Sequence, residues 1–365
     1  MGLDILPLIL SCPQSSLSPP GTLLQMTAKR YTSIESAANT RGLTFVFLHG
    51  IGARTCSLSS ASLTKGLRSL ISICSSPQDK EQWEVVIEEM FRLQQDKPPQ
   101  LRMREAWALD RPNHGDAAVL NSEELLRNRR QGLPASEWAE AVGAFLRSTH
   151  LHGHRIVQVA HSAGSMAALS ATRYVDLSSV SILSIIVIAP AMLAPETYYR
   201  YIEPIALGLS AAVHERRDKW SSREAAHSWM KARFPWNLWD PRVLRAHTDH
   251  GIIETPDNSG SVTLKCPKLQ EAFCFPDTES QFGAIDQISK ICRRIPFHVV
   301  WGIDDHLLPQ VSRGSISDSA QGRLAKSVTN MKGGHMVLQE TPVELARVVS
   351  RLCDGISAPC VQARL

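Results

Sequence analysis

The stretch that decides the fold is RIVQVAHSAGSMAALSA, Arg155 to Ala171. A largely apolar run, Ile156 to Ala160, meets His161 and Ser162 and then a series of small residues at helical spacing. A short apolar run bounded by a turn signal reads as a strand buried on both faces. A strand that turns sharply into a helix exposes the middle residue of the turn at the edge of the sheet. The usual pattern for such a turn is G-x-S-x-G. Here it is Ala160-His161-Ser162-Ala163-Gly164, with alanine in the first place. Small neighbours are needed because backbone passes close to backbone. Taken alone, Ser162 reads either as a nucleophile or as the N-cap of a buried helix.

Working outward, LTFVFLHG (Leu43 to Gly50) is a second buried strand running into a glycine turn, and SILSIIVIAPAML a third. REAWALDRPNHGD and PFHVVWGIDDHLLP are strands ending in polar loops. Between them, KEQWEVVIEEMFRLQ (Lys80 to Gln94) places Trp83, Val86, Ile87, Met90 and Phe91 on one helical face. SEWAEAVGAFLRS does the same with Trp138, Val142, Phe145 and Leu146, and Ser136 is the expected N-cap. Strands alternating with helices predict an α/β fold, a mostly parallel sheet flanked by helices. Residues 192–290 break the alternation. They hold Trp220, Trp229, Trp236 and Trp239 and no buried strand before VTLKC, and they read as a helical cap over the sheet edge where ligands bind.

The expected organisation is a Ser- and Pro-rich lead-in, 1–40, with one short strand, followed by a core first part at 41–191. That part is interrupted by a Ser-rich, aperiodic stretch at 55–79. The cap at 192–290, a core second part at 291–356 and a tail at 357–365 complete it.

Composition is that of an ordinary globular protein, 43% hydrophobic and 20% charged, with a net charge of +4. Lysine and arginine are scattered, so no nucleic-acid partner is expected. The eight cysteines form no C-x-x-C pair and no zinc spacing, and they read as reduced thiols. Neither a metal nor a cofactor is expected. No apolar run is long enough to span a bilayer, and MGLDILPLIL lacks the basic start of a signal peptide.

Two further pieces bear on Ser162. WGIDDHLLP ends a strand with acids, and GGHMVLQE supplies His335 about thirty residues later, so the chain order is Ser, Asp, His. A serine hydroxyl is a weak nucleophile until a base takes its proton. His335 is the expected base, and a carboxylate would hold its tautomer and orientation. Asp305 is the preferred carboxylate and Asp304 the alternative. An oxyanion formed in such a reaction needs two backbone N–H donors. Ala163 would give one and Ile51, in the loop after FLHG, the other. His114 or Asp116 of the NHGD loop would either line the pocket or simply close a turn.

On these motifs the chain resembles the α/β-hydrolase superfamily from about Leu43 to Leu352. More narrowly, it is similar to fungal peroxisomal α/β-hydrolases, which include a peroxisomal lipase, hydrolases of host-selective toxin clusters and an acyl-CoA hydrolase of mycophenolic acid synthesis. LTFVFLHGIGA, KEQWEVVIEEM, NHGDAAVLN, FPWNLWDPRVL and VTLKCPKLQEAF carry that likeness. The resemblance implies a cap and hydrolysis of an ester or acyl-CoA thioester, in secondary-metabolite synthesis. A general lipase or carboxylesterase, and a catalytically silent binding protein, are the alternatives. Two departures stand out. The third strand ends Ile188-Ala189-Pro190, without the acid some relatives place there. The stretch 55–79 separates two motifs that relatives join directly, as a flexible insertion or as translated intron. The chain ends Ala363-Arg364-Leu365, a small-basic-leucine ending of the type a peroxisomal import receptor reads. The peroxisome is the expected location, with the cytoplasm as alternative.

Overall fold

The computed structural model describes residues 2–54, 74–75, 77–257, 259–308 and 310–356. The Ala363-Arg364-Leu365 ending and, of the Ser-rich stretch, residues 55–73 and 76 lie outside the described residues. The end of that stretch is described, and it is not a loose insert: Gln78 and Asp79 are buried.

The central sheet has eight strands: β1 (Asp4–Ser11), β2 (Gln25–Thr32), β3 (Leu43–Leu48), β4 (Met103–Leu109), β5 (Arg155–His161), β6 (Ser181–Ile188), β7 (Phe297–Gly302) and β8 (Ser327–Met331). Their order across the sheet is β1-β2-β4-β3-β5-β6-β7-β8. From β4 onward every neighbouring pair is parallel. The sequence-based expectation of a mostly parallel sheet between helical layers holds.

The lead-in differs from expectation. It supplies two eight-residue strands rather than one short one, paired antiparallel from Asp4↔Thr32 to Ser11↔Gln25, and β2 also runs antiparallel to β4. Met26, Ala28 and Tyr31 of β2 are buried. Lysine and arginine between these apolar residues mask the pattern in the sequence.

Strand residues alternate between two cores, as the pleat requires. Val46 and Leu48 join α2 (Ala135–Leu146), α3 (Gly164–Ala171) and α5 (Thr278–Ile291) on one face. Phe45 and Phe47 join α1 (Glu84–Gln94) and α6 (Pro342–Leu352) on the other. Helix α1 is preceded by a 3₁₀ turn, Lys80–Trp83. Ser136 is not the N-cap of α2; Pro134 holds that position and makes no side-chain cap. The free N–H groups of Ala135 and Ser136 instead donate to Asp277 Oδ2 (2.8 Å) and Ser280 Oγ (3.0 Å). A remote helix start thus satisfies donors that a local cap would otherwise satisfy.

Residues 192–290 are less uniformly helical than expected. A π-helical turn, Tyr198–Ile202, leads into α4 (Glu203–Glu215). Lys219–Trp220, Ile252–Glu254 and Val262–Leu264 form a small antiparallel sheet. Trp220, Trp236 and Trp239 are buried in one cluster with Met230, Val243 and Val85, against which Trp229 packs. Helix α5, at the end of this stretch, packs on α3 of the central core.

Candidate active site

The turn between β5 and α3 puts Ser162 in the left-handed region, with φ 51°. A residue with a Cβ adopts that conformation only at a cost of order 1–3 kcal/mol, and such strain collects at functional sites. The surrounding structure holds it there. The Ser162 N–H donates to the Ile188 carbonyl at 2.8 Å. Glycines permit the approach: a Cβ on Gly164 would sit 2.5 Å from the His49 carbonyl oxygen, and one on Gly50 2.7 Å from Ser162 Cβ.

Two loops from the far end of the chain meet this turn. After β7, Asp304 stays exposed and donates its N–H to the Gly333 carbonyl (3.0 Å), while Asp305 is buried. His335 follows β8 and is also buried. Its Nε2 lies 2.8 Å from Ser162 Oγ, and its Nδ1 lies 3.1 Å from Asp305 Oδ2. The other oxygen of Asp305 accepts the N–H of Leu307 at 3.0 Å. Burial alone would raise the Asp305 carboxyl. The facing His335 and the N–H donors of Leu307 and Leu308 outweigh it, and the carboxyl lies below its usual range. Of the two acids considered from sequence, the structure brings Asp305 to the imidazole and leaves Asp304 outside. The loop carrying His335 is itself fixed, since the Gly334 N–H donates to Glu340 Oε2 at 2.8 Å.

The model of the alpha/beta hydrolase family matches residues 45–348. The chain belongs to the alpha/beta hydrolase family. Its fold is similar to that of the peroxisomal alpha-beta-hydrolase Lpx1 from Saccharomyces cerevisiae, with a TM-score of 0.72 at 17% identity over 99% of this chain and 91% of that one. It is also similar to the M. tuberculosis esterase Rv0045c (TM-score 0.59, 17% identity, 96% and 92% covered). The thioesterase domain from the curacin biosynthetic pathway gives a TM-score of 0.58 at 13% identity, with 96% and 99% covered. No curated protein matches the sequence.

In this hydrolase a cavity of about 60 Å³ adjoins Ser162 and His335. Ile51, Gly52 and Ala163 form one side of it. Neither the Ile51 nor the Ala163 N–H has an acceptor among the described residues. The remaining wall is apolar, with Met166, Leu193, Ile205, Leu209, Phe275 and Leu308 foremost. Such a volume is well under the ~300–1,000 Å³ of a typical ligand site. Ser162 is only 4% exposed. Helix α4, with Ile205 and Leu209, forms much of the wall.

None of the four tryptophans lines this cavity. They pack on each other instead, Trp220 to Trp229 at 5.8 Å and Trp229 to Trp236 at 5.5 Å between centroids. His114 and Asp116 are absent from its wall as well. Asp116 binds Lys80 Nζ (2.7 Å) and Lys265 Nζ (2.5 Å), and His114 Nδ1 lies 2.8 Å from Asn113 Oδ1.

Sequence reasoning did not find two residues that frame the site, His161 and Gln78, nor the buried ion network around Lys80. His161 is fully buried, with Nε2 2.8 Å from the His335 carbonyl and Nδ1 3.1 Å from Gln78 Oε1. That same Gln78 oxygen accepts the N–H of Gly50 at 2.7 Å. Burial and the neighbouring His335 push the His161 ring down to about 3, so it is neutral at physiological pH. Lys80 is buried against Asp110 (2.8 Å), Asp116 and Glu81 (2.9 Å). Burial opposes its charge, but the three carboxylates outweigh burial and its pKa is raised. In the sequence KEQW reads only as the start of a helix; the network reaches Thr27 through Asp110 and Lys265 through Asp116, far away along the chain.

Proposed function

We propose that the protein is a serine hydrolase that cleaves an ester or acyl-CoA thioester through an acyl-enzyme. The observation that carries this reading is the continuous contact Ser162 Oγ–His335 Nε2–Asp305 at 2.8 and 3.1 Å. Ser162 Oγ attacks the acyl carbonyl carbon as its proton passes to His335 Nε2. The carbonyl oxygen, now negative, is held by the N–H groups of Ile51 and Ala163. The bond to the leaving sulfur or oxygen breaks, and His335 returns the proton to it. A water then gives its proton to His335 and attacks the acyl-enzyme. The acid departs, and Ser162 recovers its proton. Asp305 holds the imidazole in the tautomer that presents a bare Nε2 to the serine.

The narrow apolar cavity supports a single acyl chain over a bulky triglyceride. The family likeness to enzymes of toxin and mycophenolate synthesis supports a role in secondary metabolism, and the Ala363-Arg364-Leu365 ending supports import into the peroxisome. No helix among the described residues is long and apolar enough to cross a membrane. Residues 192–290 act as the cap in this reading. Incubating the protein with acyl-CoA thioesters and with triacylglycerol tests the substrate class. Release of CoA, lost in Ser162→Ala, is the expected result; lipolysis without CoA release would point to the lipase alternative, and neither activity to a binding protein. A fluorescent protein fused to the last nine residues should collect in peroxisomes, and a diffuse signal would reject that address.

A further inference from the structure

The apolar wall of the cavity beside Ser162 has one exception. Gln281, in the first turn of α5, lines it and is 5% exposed. Among the described residues its buried Oε1 has no hydrogen-bond partner, and its side-chain nitrogen has none either. The other polar side chains of the wall are engaged: Ser162 and His335 with each other, and the Cys274 thiol with the Gln270 carbonyl at 3.2 Å. Buried polar atoms in folded proteins nearly always have partners, so an orphan on a residue that lines a substrate cavity calls for one. Nor is the residue loosely placed. The start of α5 is fastened by Asp277 Oδ2 to the Ala135 N–H and by Ser280 Oγ to the Ser136 N–H.

We infer that Gln281 reads a hydroxyl on the acyl chain, and that the substrates are hydroxylated acyl esters or thioesters rather than plain hydrocarbon ones. The inference rests on Ser162 being the acylated residue. A carboxamide offers both a donor and an acceptor, and a hydroxyl matches either. An unsubstituted chain entering this cavity leaves the carboxamide dry and unpaired. Sites built to bond a substrate hydroxyl discriminate strongly against the analogue that lacks it.

The test compares CoA thioesters of equal chain length, unsubstituted or carrying one hydroxyl at successive carbons. Wild type should show a kcat/KM at least about tenfold higher for one hydroxyl position than for the plain chain, the size expected of one net hydrogen bond. In Gln281→Met that preference should vanish, the plain and the hydroxylated chains being turned over alike. Removing an unpaired buried carboxamide should also leave the unfolding midpoint unchanged or higher. A flat profile across all hydroxyl positions in wild type, or a preference that survives Gln281→Met, overturns the inference. Fluorophosphonate labelling separates the two levels. Labelling at Ser162 with a flat profile rejects the role of Gln281 alone, whereas no labelling in wild type rejects the nucleophile on which it rests.

Discussion

His161 Nε2 lies 2.8 Å from the backbone carbonyl of His335, the residue whose ring meets Ser162. The residue before the proposed nucleophile therefore holds the loop of the proposed base, and through Gln78 it also reaches the N–H of Gly50. Three chain segments, 49–52, 160–163 and 333–336, meet around one buried ring, whose single N–H, as a neutral imidazole, bonds one of the two facing oxygens. Replacing His161 by alanine should lower kcat by about 100-fold with little change in KM, because a misplacement near 1 Å costs that much. His161→Gln, which keeps a donor, should recover part of the loss. Equal activity in all three proteins would remove the strut from the account.

The two adjacent acids make opposite predictions. Asp305→Asn should reduce kcat/KM by about 10³–10⁴-fold, since the amide favours the wrong imidazole tautomer. Asp304→Asn should be close to wild type, because its side chain is exposed and, among the described residues, only its backbone is engaged. Steady-state kinetics on the two variants decides between them.

Acid should weaken the fold early. Burial holds His161 down to about 3 and His49 to about 4, so both are neutral when folded but take up protons near 6.5 once unfolded. Below about pH 6.5 the unfolded chain binds more protons, and stability falls with pH until the folded values are reached. From pH 8 to pH 5 each ring should remove about 2 kcal/mol. Denaturant titrations across that range measure it, and His161→Gln should flatten the slope. The depressed Asp305 carboxyl acts lower: its contribution is full above the unfolded carboxylate value near 4 and is lost as pH falls through its folded value.

Lys80 is the cation of a buried network, and removing it strands Asp110, which is fully buried. Lys80→Met should cost about 3–5 kcal/mol of stability, the usual loss when one partner of a buried pair is taken away. Adding Asp110→Asn should restore part of it. A single variant as stable as wild type would show that the pair contributes little.

The legible part of this protein was local. Val46, Leu48, Ile156 and Val187 announce buried strands by composition, and Ser162, Asp305 and His335 stand at strand ends in a telling order. What escaped depends on distance in the chain. Asp277 and Ser280 cap a helix about 140 residues upstream, whereas the local sequence points to Ser136. Gln78 lies in a Ser-rich stretch without period, and nothing near it marks a residue that meets Gly50 and His161. The hairpin of β1 and β2 hides its apolar face among charged residues. Gln281 carries no local signal at all; only the cavity around it gives it meaning.

The most direct test of the central claim is to treat the protein with a fluorophosphonate, digest it and locate the adduct by mass spectrometry. One stoichiometric adduct on Ser162 is expected, absent in Ser162→Ala and slowed by orders of magnitude in His335→Gln. An adduct elsewhere, or none in the folded wild-type protein, contradicts it.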